Sequence, residues 1–159
     1  MEIQRLSIDE ARRLRHIRLR ALADTPDAFG STYAEVAAHP LAEWSKQLQE
    51  IATFVAVHDG KDLGLVRCAS DEHHHDTAWL ISMWVTPEAR GQGVGNALID
   101  AVIECARSSG ASRLLLDVGD YNQQAIALYA RKGFQPNGQT GLLPAPRNHI
   151  REHQRELRL

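Results

Sequence analysis

Apolar positions recur along the chain with two spacings, every third or fourth residue in some stretches and short near-continuous runs in others, and these predict helices and strands respectively. Ser7-Ile8-Asp9-Glu10 reads as a capping box, in which hydroxyl and carboxylate each satisfy a backbone donor at a helix start. The helix that follows carries Leu14, Ile17, Ala21 and Leu22 as an apolar stripe, while Arg12, Arg13, Arg15, Arg18 and Arg20 crowd its other faces. Pro26 and Gly30 break it, and Pro40 opens a second helix with Trp44 and Leu48 on one side. This helical opening is expected to precede the first strand.

Thr53 to His58 and Leu63 to Ala69 are β-rich runs separated by Asp59-Gly60-Lys61, the signature of an antiparallel hairpin. A polar loop follows from Ser70 to Asp76, and Trp79 to Val85 is then the most apolar strand, expected at the centre of a sheet. Asn96 to Arg107 sets Ala97, Leu98, Ala101, Val102, Cys105 and Ala106 on one helical face, ending near Gly110. Arg113 to Val118 reads as a strand, and Tyr121 to Lys132 as a helix capped by Asp120 and stopped by Gly133. Leu142 to Leu143 and His153 to Leu159 are candidate closing strands, weakened by Pro144, Pro146 and a charge-rich end.

Composition narrows the chemistry. With 159 residues, 43% of them hydrophobic, the chain is long enough to bury its own core, and neither a repeat nor a linker divides it. Cys68 and Cys105 are the only cysteines, both in apolar stretches, so no disulfide scaffold or thiolate metal cage is expected and a reducing cytoplasm is the simplest location. No apolar run approaches the roughly 20 residues of a membrane span, and Met1 to Leu6 lacks the apolar block of a signal peptide. These two features argue against a membrane partner, while Lys and Arg number 18 against 20 Asp and Glu, a net charge of −2 that argues against a nucleic-acid partner, which needs a basic footprint, and leaves only a local basic patch open. His73-His74-His75 is read as a solvated turn with no metal, because consecutive histidines converge poorly on one tetrahedral ion.

The chemistry concentrates after the central strand, in Arg90-Gly91-Gln92-Gly93-Val94-Gly95. Glycines there bare several backbone N–H groups at a helix start, where the helix dipole adds partial positive charge, a geometry suited to a pyrophosphate. A ligand-free turn is the alternative on the glycines alone. Gly95 is followed by Asn96 and Ala97 rather than Lys-Ser or Lys-Thr, so this is no Walker loop. A Rossmann fingerprint fails too, since Asn96 and Leu98 stand where a small residue is required.

Arg90-x-x-Gly93-x-Gly95, together with Asn122, Ala125, Leu128-Tyr129 and Gly133-Phe134 in order, resembles the two signatures of the GCN5-related N-acetyltransferase family. The resemblance spans residues 79 to 134 and implies an α/β (α+β) fold, with a mixed, mostly antiparallel sheet flanked by helices and two parallel strands splayed apart. It implies one N-acetyltransferase domain over residues 1–159, as a monomer or homodimer, that moves an acetyl group from acetyl-CoA to an amine. Met83, Trp84 and Val85 would then meet pantetheine through their backbone, Arg90, Gly91, Gln92, Gly93, Val94 and Gly95 would cradle the pyrophosphate, and Asn122 would bond the pantetheine arm. Arg131 and Lys132, at an exposed helix end, are read as solvated.

Acetyl transfer needs a neutral amine, a donor for the carbonyl oxygen and an acid for the leaving thiolate. Tyr129 sits where the family's general-acid tyrosine sits, and the Val85 N–H is the candidate oxyanion donor. Many members carry a glutamate at the position of Trp79, which cannot accept a proton. Asp117 matches the placement of an acidic base in ribosomal-protein N-terminal acetylases, with an ordered water chain as the alternative. The arginines of the first helix are expected to form surface pairs, and Leu19 to Ser31 is similar to the opening of many bacterial members without identifying the acceptor. A small-molecule amine is the first reading and a protein N-terminus or lysine the second. Trp79 also keeps open a non-catalytic acyl-CoA-binding module.

Overall fold

The computed structural model describes residues 1–159. Seven strands form one sheet in the order β1-β2-β3-β4-β5-β7-β6, antiparallel throughout except for the β4–β5 pair. In chain order they are β1 (Glu2–Arg5), β2 (Ala52–His58), β3 (Lys61–Ser70), β4 (Thr77–Val85), β5 (Arg113–Gly119), β6 (Gln135–Leu142) and β7 (Arg151–Arg158). Five helices flank them: α1 (Ala11–Asp24), α2 (Tyr33–Ala37), α3 (Leu41–Glu50), α4 (Val94–Ser108) and α5 (Gln123–Arg131). This is the mixed, mostly antiparallel architecture that the motifs imply.

Two cores form because the sheet buries both faces. Val66, Leu80, Leu114 and Leu116 point towards Leu98, Val102 and Tyr129 of α4 and α5. Val55, Leu65 and Trp84 point the other way, against Leu14, Ile17, Leu22 and Trp44 of α1 and α3. Strand alternation therefore puts Arg67 on the α1 face with Leu65, since Val66 and Cys68 belong to the α4 core, and Asp117 on that same face, since Leu116 and Val118 belong to the α4 core.

Several boundaries differ from the sequence reading. A strand precedes the first helix: β1 pairs with β2 from Glu2↔Val57 to Arg5↔Phe54, held by backbone bonds that a polar edge strand does not advertise. The Ser7 box is present, with Ser7 N–H donating to Glu10 Oε2 at 2.8 Å, but it starts a short 3-10 turn that leads into α1. Asn122, not Asp120, caps α5, accepting the Ala125 N–H on its side-chain oxygen at 3.3 Å. The hairpin turn is as expected, with Asp59 and Gly60 both at positive φ.

The feature that creates a site is the parting of β4 and β5. They pair only at Thr77↔Arg113, Ala78↔Leu114 and Trp79↔Leu115. Beyond these, β4 carries an extra residue against β3 between Arg67↔Ile81 and Leu65↔Trp84, and Ser82 takes φ 59 in that bulge. A bulge bends its strand. β5 meanwhile stays paired to β7 along its length, from Arg113↔Arg158 to Gly119↔Glu152, so the two parallel strands diverge.

Candidate active site

The divergence opens a cleft of about 1030 Å³ between the C-terminal halves of β4 and β5. Its floor is the strand pair, one end is the glycine loop with α5, and the other end is walled by α1, residues 25–31 and β7.

At the first end, Thr86 N–H donates to Leu63 O at 2.8 Å, closing β4 against the hairpin. After a single 3-10 turn over Pro87–Ala89, Gly91 and Gly93 adopt φ +76 and +84, the left-handed region that glycine enters without penalty. Gly93 is the N-cap of α4, and its carbonyl accepts the first helical bond from Ala97 N–H at 3.1 Å. The amides of the first turn of α4 have no intrahelical acceptors. Nothing lies within 4 Å of where a Cβ would stand on Gly91 or Gly93, so the loop is open above these amides and suits a phosphate-bearing ligand. Gly95 serves differently: a Cβ there would stand 2.9 Å from Leu128 Cδ2 and 3.3 Å from Met83 Cε, so its absence lets α4 approach α5 and β4.

The side chains of the loop brace it from behind. Arg90 donates from Nε to Val85 O at 3.0 Å and from Nη2 to Asp24 Oδ2 at 2.6 Å, and Gln92 Nε2 donates to Glu88 O at 3.0 Å. Asp24 also accepts the indole N–H of buried Trp84 at 2.9 Å, so one carboxylate ties the end of α1 to β4 and to the loop. Asp24→Ala leaves the Trp84 N–H unpartnered, and a loss of about 1–3 kcal/mol is expected, measurable as a lowered midpoint in thermal unfolding. An unchanged midpoint would show that water replaces the carboxylate.

Along the splayed edge, the Thr86 amide faces β3, so the Val85 amide one residue earlier faces the cleft. Met83 and Val85 are half-buried at that edge, and Asn122 lines the opposite side with its side-chain nitrogen uncommitted by the helix cap. Lys132 is not a free cation, since Nζ pairs with Asp100 at 2.5 Å and ties α5 to α4; Arg131 remains exposed at the rim.

The titratable groups gather at the middle and far end. Tyr129 is 6% exposed, packs edge-to-face with Phe134 at 5.8 Å and borders the cleft. Burial pushes its phenol pKa well up, so the proton stays on Oη at neutral pH. Asp117 opens into the cleft from β5, where partial loss of water raises its carboxyl pKa. Trp79 faces the same space but is anchored outward, its Nε1 donating to Asp71 Oδ1 at 2.8 Å. That bond, with the His73 amide, holds the Asp71 carboxyl well below the ordinary range.

Three cleft residues escape the sequence reading. Glu152 on β7 is half-buried, and its carboxyl is pushed up by burial first and by the Asp117 charge second. Arg18, expected among surface pairs, is 5% exposed and lines the cleft; of that helix, Arg13 does pair at the surface, with Asp62 at 2.6 Å. Arg67 is 7% exposed, donating from Nε to Ser82 Oγ at 2.9 Å and from Nη1 to Gln47 Oε1 at 2.8 Å. A signal for Arg18 exists in the sequence, because it falls four residues after Leu14 and four before Leu22, on the apolar stripe itself.

Residues 14–134 match the model of the Acetyltransferase (GNAT) family. An uncharacterized N-acetyltransferase of Methanocaldococcus jannaschii is 35% identical over 97 residues, covering 58% of this chain and 43% of that relative. The chain thus spans less than half the length of that relative. Among solved structures, the ribosomal-protein-alanine N-acetyltransferase of Brucella melitensis superposes with a TM-score of 0.82 at 21% identity, over 100% of both chains. A putative acetyltransferase of Salmonella typhimurium, solved with acetyl-CoA, superposes with a TM-score of 0.79 at 19% identity, over 100% of this chain and 94% of that one. These two share the fold.

Proposed function

Since this chain belongs to the GNAT acetyltransferase family, we propose that it is an acyltransferase, moving an acetyl group from acetyl-CoA to the primary amine of a small molecule, directly, in a ternary complex. The observation that carries this reading is the coincidence of an open, left-handed glycine loop at a helix start with a parted strand edge leading to Tyr129. When bound, acetyl-CoA supplies an acetyl group activated as a thioester.

The amides around Gly91, Gly93 and the first turn of α4 hold the diphosphate, with Arg90 and Gln92 bracing the loop rather than reaching over it. Met83 and Val85 present strand backbone to the pantetheine amides, Trp84 between them turning its own N–H and C=O to β3 by the same alternation, and Asn122 donates its side-chain N–H from the other wall. Asp117 takes a proton from the incoming ammonium, freeing the lone pair that attacks. The Val85 N–H stabilises charge on the acetyl oxygen, and Tyr129 Oη gives its proton to the departing sulfur and regains one from the second proton that the acylated nitrogen sheds, passed through water.

A small acceptor is favoured because the far end of the cleft is strapped. Arg147, in the segment between β6 and β7, donates from Nη1 to Pro26 O at 2.8 Å and to Phe29 O, and from Nη2 to Gly30 O at 2.9 Å. The strap joins the β7 wall to the wall after α1, and an extended peptide would have to displace it.

Initial rates of thiol release with both substrates varied test the scheme. Intersecting reciprocal plots are expected for direct transfer, whereas parallel lines would mean an acetylated enzyme and overturn it. The pH profile adds a second check. Asp117 acts as base only when ionised, and its raised pKa means that kcat/KM should climb with pH across a window above the ordinary carboxylate value of about 4. Asp117→Asn should lower kcat/KM on the order of 100-fold and remove that limb; a profile unchanged by the substitution assigns the proton to water or to Glu152.

A further inference from the structure

Two guanidiniums lie in the cleft without a counter-anion. Arg18 rises from α1 and Arg67 from β3, both almost wholly buried, and neither forms an ion pair. Arg67 is oriented by the neutral oxygens of Ser82 and Gln47, which leaves its Nη2 without a protein partner. Arg18 lies over the Phe29 ring at 4.8 Å, and its Nη1 is fully buried with no hydrogen bond at all. Other arginines of the chain find carboxylates: Arg13 meets Asp62, Arg90 meets Asp24 and Arg113 meets Glu156.

Holding two such cations together is costly. Burial pulls Arg18 down to about 10, and burial with the Arg18 charge pulls Arg67 down to about 9, so both are still cations at neutral pH, held at a cost. Buried charges in folded proteins are ordinarily paired, so two uncompensated guanidiniums lining a cleft suit a ligand of opposite sign. The diphosphate held at the glycine loop does not supply it. Arg67 pairs across the sheet with Ile81, in mid-strand, well before the loop that follows Val85.

Asp117 and Glu152 reach the same cleft from β5 and β7, on the sheet face that Arg67 also occupies. Cations on one wall thus confront carboxylates on the other. We infer that the acceptor is an amine that also carries a carboxylate, an amino acid in the broad sense, with Arg18 and Arg67 receiving its carboxylate while its nitrogen faces Asp117. A guanidinium fork suits a carboxylate because two parallel N–H groups match its two oxygens. The inference rests on the acetyltransferase reading and names the substrate class for that site.

The test is thiol release from acetyl-CoA with matched pairs, each acid beside the amine lacking its carboxylate: lysine and cadaverine, tyrosine and tyramine, histidine and histamine, β-alanine and ethylamine. The remaining proteinogenic amino acids complete the panel. At least one acid should exceed its partner on the order of 100-fold in kcat/KM, the effect of a fully desolvated charge pair. In Arg67→Gln that ratio should fall towards one through KM, with acetyl-CoA affinity retained as evidence of folding. Arg18→Met should also lose the preference while raising Tm, since it removes an unpaired buried charge; a purely structural arginine would instead lower Tm and leave the preference intact.

Taurine set beside ethylamine, and O-phosphoethanolamine beside ethanolamine, separate carboxylate from other anions. Equal rates within every pair, no turnover of any acid, or a preference for the sulfonate or phosphate overturns the inference. Failure of acetyl-CoA itself to bind is a distinct result that would sink the underlying reading.

Discussion

Gly93→Glu is expected to abolish acetyl-CoA binding, with affinity reduced at least about 1000-fold, and three features of the site set that magnitude. The residue sits at φ +84, where a side chain costs about 1–2 kcal/mol of backbone strain. No atom lies within 4 Å of its Cβ direction, so the new carboxylate enters the open space above the α4 amides without a clash in the unliganded protein. There it satisfies the donors and the dipole that a diphosphate requires, and it repels the diphosphate as a like charge. The folded state should survive, because an anion at a helix N-terminus offsets part of the strain. Gly110→Glu supplies the control. Gly110 has φ +88 at the other end of α4, so that variant bears comparable strain but should bind acetyl-CoA as the parent does. Titration calorimetry on both proteins decides; equal affinity for the Gly93 variant would remove the phosphate assignment.

Tyr129→Phe is expected to lower kcat by about 10²- to 10⁴-fold, the usual range for losing a general acid, with acetyl-CoA affinity nearly unchanged. The substitution keeps the ring that packs on Phe134 at 5.8 Å, so the α5 core stays filled and thermal stability should move little. Only the proton at Oη is lost. Because burial raises the phenol pKa, the parent should show no decline in rate from tyrosine ionisation as pH rises through 9, near the lower edge of ordinary phenol titration at about 10. A variant that matches the parent in single-turnover thiol release would assign protonation of sulfur to solvent.

The parts of this molecule that were legible in the sequence are those whose burial is written as a period. Leu14, Ile17, Ala21 and Leu22 are each at most 1% exposed on α1, as their spacing requires, and the apolar run of β4 takes the middle place in the sheet. The glycine loop and the second signature were readable because φ > 0 and close helix approach admit few residue types. Edge elements were not. β1 has one apolar residue facing partly inward, and β6 carries Pro136, Gly138 and Gly141 with every position exposed, so backbone pairing rather than a legible apolar pattern places both in the sheet. Asn122 outcompeted Asp120 as the cap of α5 because β5 runs to Gly119 and the turn after it takes up Asp120 and Tyr121, which delays the helix.

The site was half visible for a related reason. Under the proposed function, motifs mark contacts to a ligand part that never varies, the diphosphate and pantetheine, so Arg90, Gly93, Gly95 and Asn122 stand in a recognisable order. The proposed acceptor wall has no such signature. Arg18 hides on an apolar helix stripe, Arg67 interrupts an apolar strand, and Glu152 lies in a charge-rich tail, with nothing in their spacing to unite them. Only the bulge at Ser82 and the divergence of β4 from β5 bring the three to one cavity.

Acetyl-CoA titrated into the purified protein in a calorimeter addresses the central claim with the fewest assumptions, since it asks only whether the parted strands and bare amides hold this thioester. One site per chain with a dissociation constant in the micromolar range is the predicted result. A folded sample that releases or absorbs no heat at any concentration of acetyl-CoA would contradict the account.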